Sequence, residues 1–166
     1  RGLGDVYKRQ ASIDSIRGDS SIEEVILSGG DPLTVTDSQL QWLVNELNRI
    51  EHVRRIRVHS RVPVVIPQRI CAELLAWVEN SRAAVYFVVH VNHPAEIDAK
   101  FATAMKQLRT SGASLLNQSV LLRGVNDSPA VQLELCRELI NLQIIPYYLH
   151  QLDHVAGAMH FESSME

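Results

Sequence analysis

The stretch EVILSGGDPL, residues 24–33, places a short apolar run just before two glycines. Val25, Ile26 and Leu27 in succession are typical of a strand that is buried on both faces, as in parallel sheets. Because glycine has no Cβ, the backbone at the glycine pair can adopt positive φ angles and approach a ligand closely. Asp31 adds a carboxylate beside the free amides. A lone Gly-Gly-Asp more often marks an ordinary turn, so its meaning depends on what recurs along the chain.

The same arrangement recurs about every 30 residues. Apolar segments begin near residues 24, 54, 85, 114 and 144, and the first four of them precede apolar residues at helical spacing. A (β/α)₈ barrel uses about 31 residues per unit, and alternating strands and helices predict a parallel sheet with right-handed crossovers. We therefore expect an α/β fold, a partial TIM-like barrel with about five strand–helix units. An open doubly wound sheet is the alternative, but no G-x-G-x-x-G sequence supports it.

Local signals place the individual elements. Thr36 with Gln39 three residues later forms a capping box, and Ser128 followed by Pro129 begins a later helix. Two prolines bracket a segment at 63–67 that we expect to be extended. The predicted strands are 24–28, 54–59, 85–91, 114–122 and 144–149, and the predicted helices are 11–18, 36–51, 67–78, 95–111 and 128–142.

Composition excludes several classes of protein. The chain has 166 residues, 46% of them hydrophobic, and a formal net charge of -3, so a sizeable core is expected and charge gives no indication of nucleic-acid binding. No apolar run approaches the roughly 18 residues of a membrane span and no signal peptide is visible, so we expect no membrane partner and a cytoplasmic location. Cys71 and Cys136 are far apart in helical patterns and are predicted to be small buried residues.

Both ends of the chain differ from its centre. RGLGDVYKRQ, residues 1–10, lacks apolar periodicity and is predicted to be a non-native or disordered tail. Residues 11–162 are the predicted partial barrel, and 163–166 a truncated C-terminal end. We therefore expect a fragment of a longer protein. Its oligomeric state stays open, with a homo-oligomer possible.

Each predicted strand ends in polar residues. In chain order they are Ser28, Gly29, Gly30 and Asp31; His59, Ser60 and Arg61; His90, Asn92 and His93; Gln118, Arg123, Asn126 and Asp127; and His150, Asp153 and His154. Barrels bind ligands at the carboxyl ends of their strands, so five converging polar ends predict a ligand site. Chemistry alone leaves three classes open: a metal-dependent hydrolase, an enzyme with a charged organic cofactor and a non-catalytic binding domain. The glycine pair, Gln118 and Arg61 favour the organic cofactor.

Five longer motifs resemble one known family. EVILSGGDPL, RIRVHSRVPVVIPQRI, HVNHPAEI, LLNQSVLLRGVND and PYYLHQLDHVAGAMHFE are similar, in order and spacing, to the lysine 2,3-aminomutase family of radical S-adenosylmethionine enzymes. The resemblance covers about residues 11–162. The HSR and LHQLD sequences look most like the branch that makes β-lysine for modification of elongation factor P. The catabolic aminomutases that act on free lysine are the alternative.

The resemblance implies roles for particular residues. Gly29, Gly30 and Asp31 match the family motif that holds the amino end of the methionine part of S-adenosylmethionine. His90 and Gln118 match positions near that cofactor or pyridoxal phosphate. Ser28, which precedes the glycines, and Arg61, whose charge suits an organic cofactor, complete the predicted cofactor-binding set.

The substrate and the reaction follow from the same resemblance. Asp153 matches the aspartate that receives the distal ammonium of substrate lysine, a role that suits a carboxylate because a buried ammonium needs a paired charge. The implied reaction converts α-lysine to β-lysine. A [4Fe-4S] cluster and S-adenosylmethionine generate a radical that takes hydrogen from carbon 3, and pyridoxal 5'-phosphate carries the amino group from carbon 2 to carbon 3.

The chain also departs from the family pattern. The cluster-binding C-x-x-x-C-x-x-C precedes the SGGD strand in the family, and no such cysteine triplet occurs here. The Schiff base with pyridoxal phosphate needs a lysine, but the only lysines are Lys8, Lys100 and Lys106, in the tail and a predicted helix. We therefore predict that the polypeptide by itself is inactive and binds no metal, while the full-length parent is an aminomutase.

Overall fold

Five parallel strands lie side by side in a single sheet, in the same order as they occur along the chain. The computed structural model describes residues 3–154 and 157–163. The strands are β1 (Glu24–Leu27), β2 (Arg55–Ser60), β3 (Ala84–Val89), β4 (Ser114–Val120) and β5 (Ile145–His150). A doubly wound sheet reverses its strand order at a switch point, whereas a barrel adds each strand beside the previous one. The predicted α/β fold is confirmed, and the sheet is consistent with part of a (β/α) barrel.

Helices connect the strands. They are α1 (Leu3–Gly18), α2 (Asp37–Asn48), α3 (Val62–Val65), α4 (Ala72–Glu79), α5 (Ala99–Thr110) and α6 (Pro129–Asn141), with short 3₁₀ turns at Pro32–Thr34, Pro67–Arg69, Pro94–Glu96 and Met159–Phe161. The predicted start signals are confirmed: the Thr36 N–H donates to Gln39 Oε1 at 3.4 Å, and the Val131 N–H donates to Ser128 Oγ at 3.3 Å. Within the described residues, none of these helices has both the length and the apolar character needed to cross a bilayer.

The strands divide their residues between two faces. Along β2, Ile56 and Val58 are buried and alternate with half-buried Arg55, Arg57 and His59. The buried residues belong to one apolar core with helical residues such as Leu40, Val44, Leu74, Trp77, Phe101, Met105, Leu108, Leu135 and Leu139. Because successive strand residues point to opposite faces, the arginines and the histidine lie on the face away from these helices, which we call the concave face.

The two edge strands differ from the expectation of strands buried on both faces. Ile26 on β1 is 49% exposed, and all six residues of β5 are exposed. In a sheet of this order β1 and β5 each pair with one neighbour only, and the described helices cover only the other face. Burial on both faces is therefore limited to the central strands, where Val88 and Val89 of β3 are fully enclosed.

Two predicted segments have a different structure. The chain is helical from Leu3 rather than from residue 11, because extending an existing helix adds one hydrogen bond for each residue that is fixed. The prediction that residues 1–10 are a non-native tail stays a prediction. The prediction that the segment between the prolines at 63 and 67 is extended is wrong, because Val62–Val65 forms a helical turn. Pro63 lies at the start of that turn, where its missing N–H is not needed.

Candidate active site

The glycine pair after β1 has the backbone conformation predicted from the sequence. Gly29 has φ +83° and Gly30 has φ +67°, both in the left-handed region that favours glycine. No atom lies within 4 Å of the position that a Cβ would occupy at either residue. The backbone angles, rather than crowding, therefore require glycine here. Ser28 and both glycines are exposed, which leaves this turn accessible to a ligand.

The Asp31 carboxylate joins the ends of β1 and β2. Its Oδ1 accepts from the Leu33 N–H at 3.0 Å and the Ser60 hydroxyl at 2.6 Å. Its Oδ2 accepts from the N–H groups of Arg61 at 2.7 Å and Val62 at 3.2 Å. Four donors match the acceptor capacity of a carboxylate. Asp31 therefore caps the 3₁₀ turn Pro32–Thr34 and ties it to the end of β2 and the first residue of α3. Its contact with a cofactor stays a prediction.

Arg61 joins the ends of β2 and β3 in a similar way. Its guanidinium donates to the His90 carbonyl at 3.1 Å and to Glu96 Oε1 at 2.6 Å. The other Glu96 oxygen accepts from the N–H groups of Asn92 at 2.6 Å and His93 at 3.0 Å. These contacts fix the turn that follows His90. The predicted cofactor contact of Arg61 is not tested by them.

Asparagines fasten the ends of β3 and β4. Asn92 Oδ1 accepts from the Val120 N–H at 2.9 Å, and the buried Asn126 amide donates to the carbonyls of Asn92 at 2.7 Å and Val120 at 2.9 Å. Asn126 Oδ1 also accepts from the Leu122 N–H at 2.7 Å. The two asparagines were counted among the polar strand ends, and the structure gives them a role in holding those ends together.

Two histidines on the concave face present unsatisfied atoms. The rings of His59 and His90 have centroids 6.1 Å apart and meet edge to face. In each ring Nε2 is buried and has no hydrogen-bond partner among the residues that the structure describes. A buried polar atom without a partner costs about 1–3 kcal/mol, so such atoms point to a missing ligand or water. Gln118 and His150 lie close enough to affect the pKa of His59.

The structure therefore brings predicted residues His90 and Gln118 together with His59 and His150. The sequence analysis did not include His59 or His150 in the predicted cofactor-binding set. The alternation along β2 was the available signal, because it places His59 on the same face as Arg57. Which way an imidazole nitrogen points, and whether it finds a partner, depends on packing between strands.

Both imidazoles are held in the neutral form. Burial lowers the pKa of His59, and the positive charge of Arg57 lowers it further, while Gln118 and Glu24 act in the opposite direction. Burial also lowers the pKa of His90, and the neighbouring His59 adds to this effect. Desolvation always disfavours the charged form of a histidine. The lowered pKa values favour the uncharged rings, which can donate or accept hydrogen bonds with a ligand.

An ionic network lies on the same face, closer to the amino ends of the strands. Arg57 forms an ion pair with Glu24 of β1 and donates to the Tyr147 hydroxyl of β5 at 3.0 Å. The guanidinium carbon lies 5.5 Å from the centroid of the Tyr147 ring, within the range of a cation–π contact. Side chains from β1, β2 and β5 thus meet across the concave face, below the two histidines.

The described residues contain no group of three or more His, Cys, Asp or Glu side chains arranged to hold a metal ion. Cys71 and Cys136 are both free. Lys100 and Lys106 lie on α5, whose buried side packs in the core with the outer face of the sheet. The residues of this chain therefore do not fit an iron–sulfur cluster or a Schiff-base lysine, and no metal site supports a hydrolase in the part of the chain that is described.

Comparison of the sequence with known proteins finds relatives that match nearly the whole chain. No family model matches the chain. It is 50% identical over 152 residues to the L-lysine 2,3-aminomutase of Haemophilus influenzae, which covers 92% of this chain and 45% of that protein. It is 44% identical to the L-lysine 2,3-aminomutase of Escherichia coli over 92% of this chain and 44% of that protein. The chain belongs to the lysine 2,3-aminomutase family. It spans less than half the length of these curated relatives.

A relative in the same family is named for another amino acid. The glutamate 2,3-aminomutase of Clostridioides difficile is 39% identical over 157 residues, which cover 95% of this chain and 37% of that protein. Overall sequence identity therefore does not tell a relative named for lysine from one named for glutamate. Individual side chains must be compared to distinguish them.

Asp153 is the family position at which such a distinction is expected. It follows β5 and is exposed, and its carboxylate has no hydrogen bond or ion pair among the described residues. The surrounding segment folds back onto the turn after β4: Gln151 donates to the Ser163 carbonyl at 2.7 Å, and the Arg123 guanidinium donates to the His160 carbonyl at 2.8 Å. The structure thus leaves this carboxylate available, and its contact with lysine stays a prediction.

Replacing Asp31 should destabilise the protein. In Asp31→Asn one acceptor oxygen becomes an NH₂ group facing two N–H donors, so we expect the free energy of unfolding to fall by about 2 kcal/mol. Urea denaturation measures this change. The control is Asp14→Asn, which removes an exposed ion pair with Arg17 and should change stability by less than about 0.5 kcal/mol. Equal effects of the two changes would refute the bracing role of Asp31.

Stability should fall as the solution is acidified. His59 and His90 have lowered pKa values in the folded state, so the unfolded chain binds more protons below its ordinary histidine pKa of about 6.5. The free energy of unfolding is therefore highest at about pH 7.5, where both histidines are neutral in either state. It decreases as the pH falls through about 6.5 towards the lower pKa values of the folded state. Urea midpoints between pH 7.5 and 5 measure this loss. His59→Gln should reduce this loss of stability, and an unaltered loss in that variant would contradict the assignment.

Proposed function

We propose that the full-length protein converts L-lysine to β-lysine and that this chain supplies about five strand–helix units of its barrel. The observation that carries the proposal is the 50% identity to the L-lysine 2,3-aminomutase of Haemophilus influenzae over 92% of this chain. The unpartnered imidazole nitrogens on the concave face give independent support for a ligand there.

S-adenosylmethionine is the proposed ligand of the residues in this chain. Its amino acid end would lie at the open turn of Ser28, Gly29 and Gly30, where backbone amides are accessible. Its adenosyl part would lie towards His90 and Gln118. Asp31 and Arg61 hold the ends of β1, β2 and β3 at fixed separations around this space, so their contribution through positioning is supported by observed contacts.

The other proposed cofactors need residues from elsewhere in the protein. A [4Fe-4S] cluster requires three cysteines in one motif, and pyridoxal 5'-phosphate requires an accessible lysine, whereas this chain has two separate cysteines and its lysines lie at 8, 100 and 106. When bound, these groups and S-adenosylmethionine supply radical chemistry and an electron sink. The described residues contribute binding, orientation and neutral hydrogen-bonding groups.

Lysine is proposed over glutamate because of Asp153. Its carboxylate is unpaired among the described residues, so it can receive an ammonium and form a charge-assisted hydrogen bond. The same carboxylate would repel the side-chain carboxylate of glutamate. A charged group that suits one substrate and opposes another is an effective source of specificity.

We further propose that the β-lysine serves the modification of elongation factor P. The support is the HSR sequence at His59 to Arg61 and the LHQLD sequence at Leu149 to Asp153, which resemble that branch of the family. A catabolic aminomutase acting on free lysine is the second candidate, supported by the same overall resemblance. Genetic loss of the parent gene would separate the two, since only the first predicts elongation factor P without its β-lysyl group.

The full-length protein should isomerise L-lysine anaerobically when its cluster and cofactors are reconstituted. Conversion of α-lysine to β-lysine, followed by chromatography of the derivatised amino acids, measures this activity. The 166-residue chain under the same conditions should show neither iron–sulfur absorption nor product. Full-length protein that contains its cofactors and converts glutamate in place of lysine would overturn the substrate assignment.

Asp153→Asn in the full-length protein should mainly raise the KM for lysine, because it removes a contact that is made in the bound ground state. Steady-state kinetics measure KM and kcat separately, and we expect an increase in KM of about tenfold, the effect of losing roughly 1.4 kcal/mol of binding. Asp14→Asn on α1 is the matched control and should leave both constants unchanged. An unaltered KM in Asp153→Asn would show that the ammonium binds elsewhere.

A further inference from the structure

The network of Glu24, Arg57 and Tyr147 crosses the concave face from one edge of the sheet to the other. Glu24 lies on β1 and Tyr147 on β5, the two edge strands, and Arg57 on β2 contacts both. The Arg57 side chain is only 18% exposed, although it carries a full charge. A buried guanidinium needs partners on several sides, and here they are an ion pair, a hydroxyl and an aromatic face.

Arg57 also lies near His59, whose buried Nε2 has no hydrogen-bond partner among the described residues. The two residues are separated by one position on β2, so both side chains project from the concave face. The groups that face His59 come from every strand: Glu24 from β1, Arg57 from β2, His90 from the end of β3, the neutral Gln118 from β4 and His150 from β5. Arg57 carries the permanent positive charge in this set, and Glu24 the negative charge that partly compensates it.

We propose that Arg57 is a positioning residue for His59: clamped across the concave face by Glu24 and Tyr147, its guanidinium keeps the imidazole as an uncharged hydrogen-bonding group that faces the ligand space. The positive charge of Arg57, held two residues away on the same face of β2, opposes protonation of the His59 ring. Contacts with the Tyr147 hydroxyl and ring hold the guanidinium on this face, where its charge is screened less than it would be in solvent. Burial supplies the rest of the preference for the neutral ring.

This inference makes a prediction with opposite signs for the two charged partners. Removing the positive charge in Arg57→Gln should raise the pKa of His59, whereas removing the compensating negative charge in Glu24→Gln should lower it. Tyr147→Phe keeps both charges and should change that pKa less than either. If the network only stabilised the fold, both substitutions would loosen the same packing, and the pKa of His59 would shift in the same direction in both variants.

The test is a pH titration of the histidine ring protons of the 166-residue chain by NMR. The chain has seven histidines, and the signal of His59 is assigned by its disappearance in His59→Gln. Arg55→Gln is the matched control: Arg55 lies on the same strand and face and also contacts Glu24, at 3.4 Å, but is one pleat further from His59. It should leave the pKa of His59 unchanged. Arg57→Lys retains the charge and should stay closer to the wild type than Arg57→Gln.

The expected result is an upward shift in Arg57→Gln, a downward shift in Glu24→Gln and no shift in Arg55→Gln. Equal shifts in Arg57→Gln and Arg55→Gln would overturn the proposal. Glu24→Gln decides the matter if Arg57→Gln does not fold, because it retains Arg57 and the Tyr147 hydroxyl and ring that contact it. An unchanged or raised pKa of His59 in that variant refutes the proposal.

Use of the neutral ring by an adenosyl ligand rests on the proposed function and is tested separately. Binding of S-adenosylhomocysteine to the full-length protein, measured by calorimetry across pH, should weaken as His59 becomes protonated, and Arg57→Gln should move that weakening to higher pH. Absence of binding to the wild type would refute the proposed function and leave the titration result intact. Binding with the same pH dependence in both proteins would refute the use of His59 by this ligand.

Discussion

A sheet covered by helices on one face only forces each strand to divide its side chains by alternation. Ile56 and Val58 enter the core, and Arg57 and His59 between them must occupy the concave face. The same constraint places Leu115 in the core and Gln118 on the opposite side of β4. Because all five strands are parallel and sequential, their carboxyl ends meet at one edge of that face. The site is therefore a consequence of strand order and alternation.

The polar residues at this edge have two distinct physical roles. Asp31 and Asn126 each form several hydrogen bonds to the backbone of neighbouring strand ends, where regular ladder hydrogen bonding stops, and Arg61 forms one to the His90 carbonyl. Satisfying those backbone groups is necessary in a half-buried region, since each unpaired group costs free energy. His59 and His90 instead retain buried nitrogens without partners among the described residues. Asp31, Arg61 and Asn126 therefore hold the strand ends in place, whereas His59 and His90 retain atoms that can form hydrogen bonds with a ligand.

Charge is distributed in layers on the concave face. The ion pair of Arg57 with Glu24 lies towards the amino ends of the strands, and neutral imidazoles lie above it. Such layering suits a pocket that binds a nitrogen heterocycle beside charged groups, because a neutral ring can donate or accept a hydrogen bond without introducing a further charge. Asp153 stands apart from these layers on the segment after β5, where an exposed carboxylate is available to a second ligand.

The sequence by itself determined the α/β class, the strand–helix repeat, the helix start signals and the glycine turn, because these depend on local periodicity and on backbone preferences of individual residues. It also determined the family, because five motifs occur in order. Only the tertiary structure decided that β1 and β5 are exposed edges, that Val62–Val65 is helical, that Asp31 and Arg61 are occupied by backbone and side-chain partners, and that His59 carries an unpartnered atom. Each of these properties depends on which groups meet across strands that are about 30 residues apart in the chain, and local patterns carry no information about such meetings.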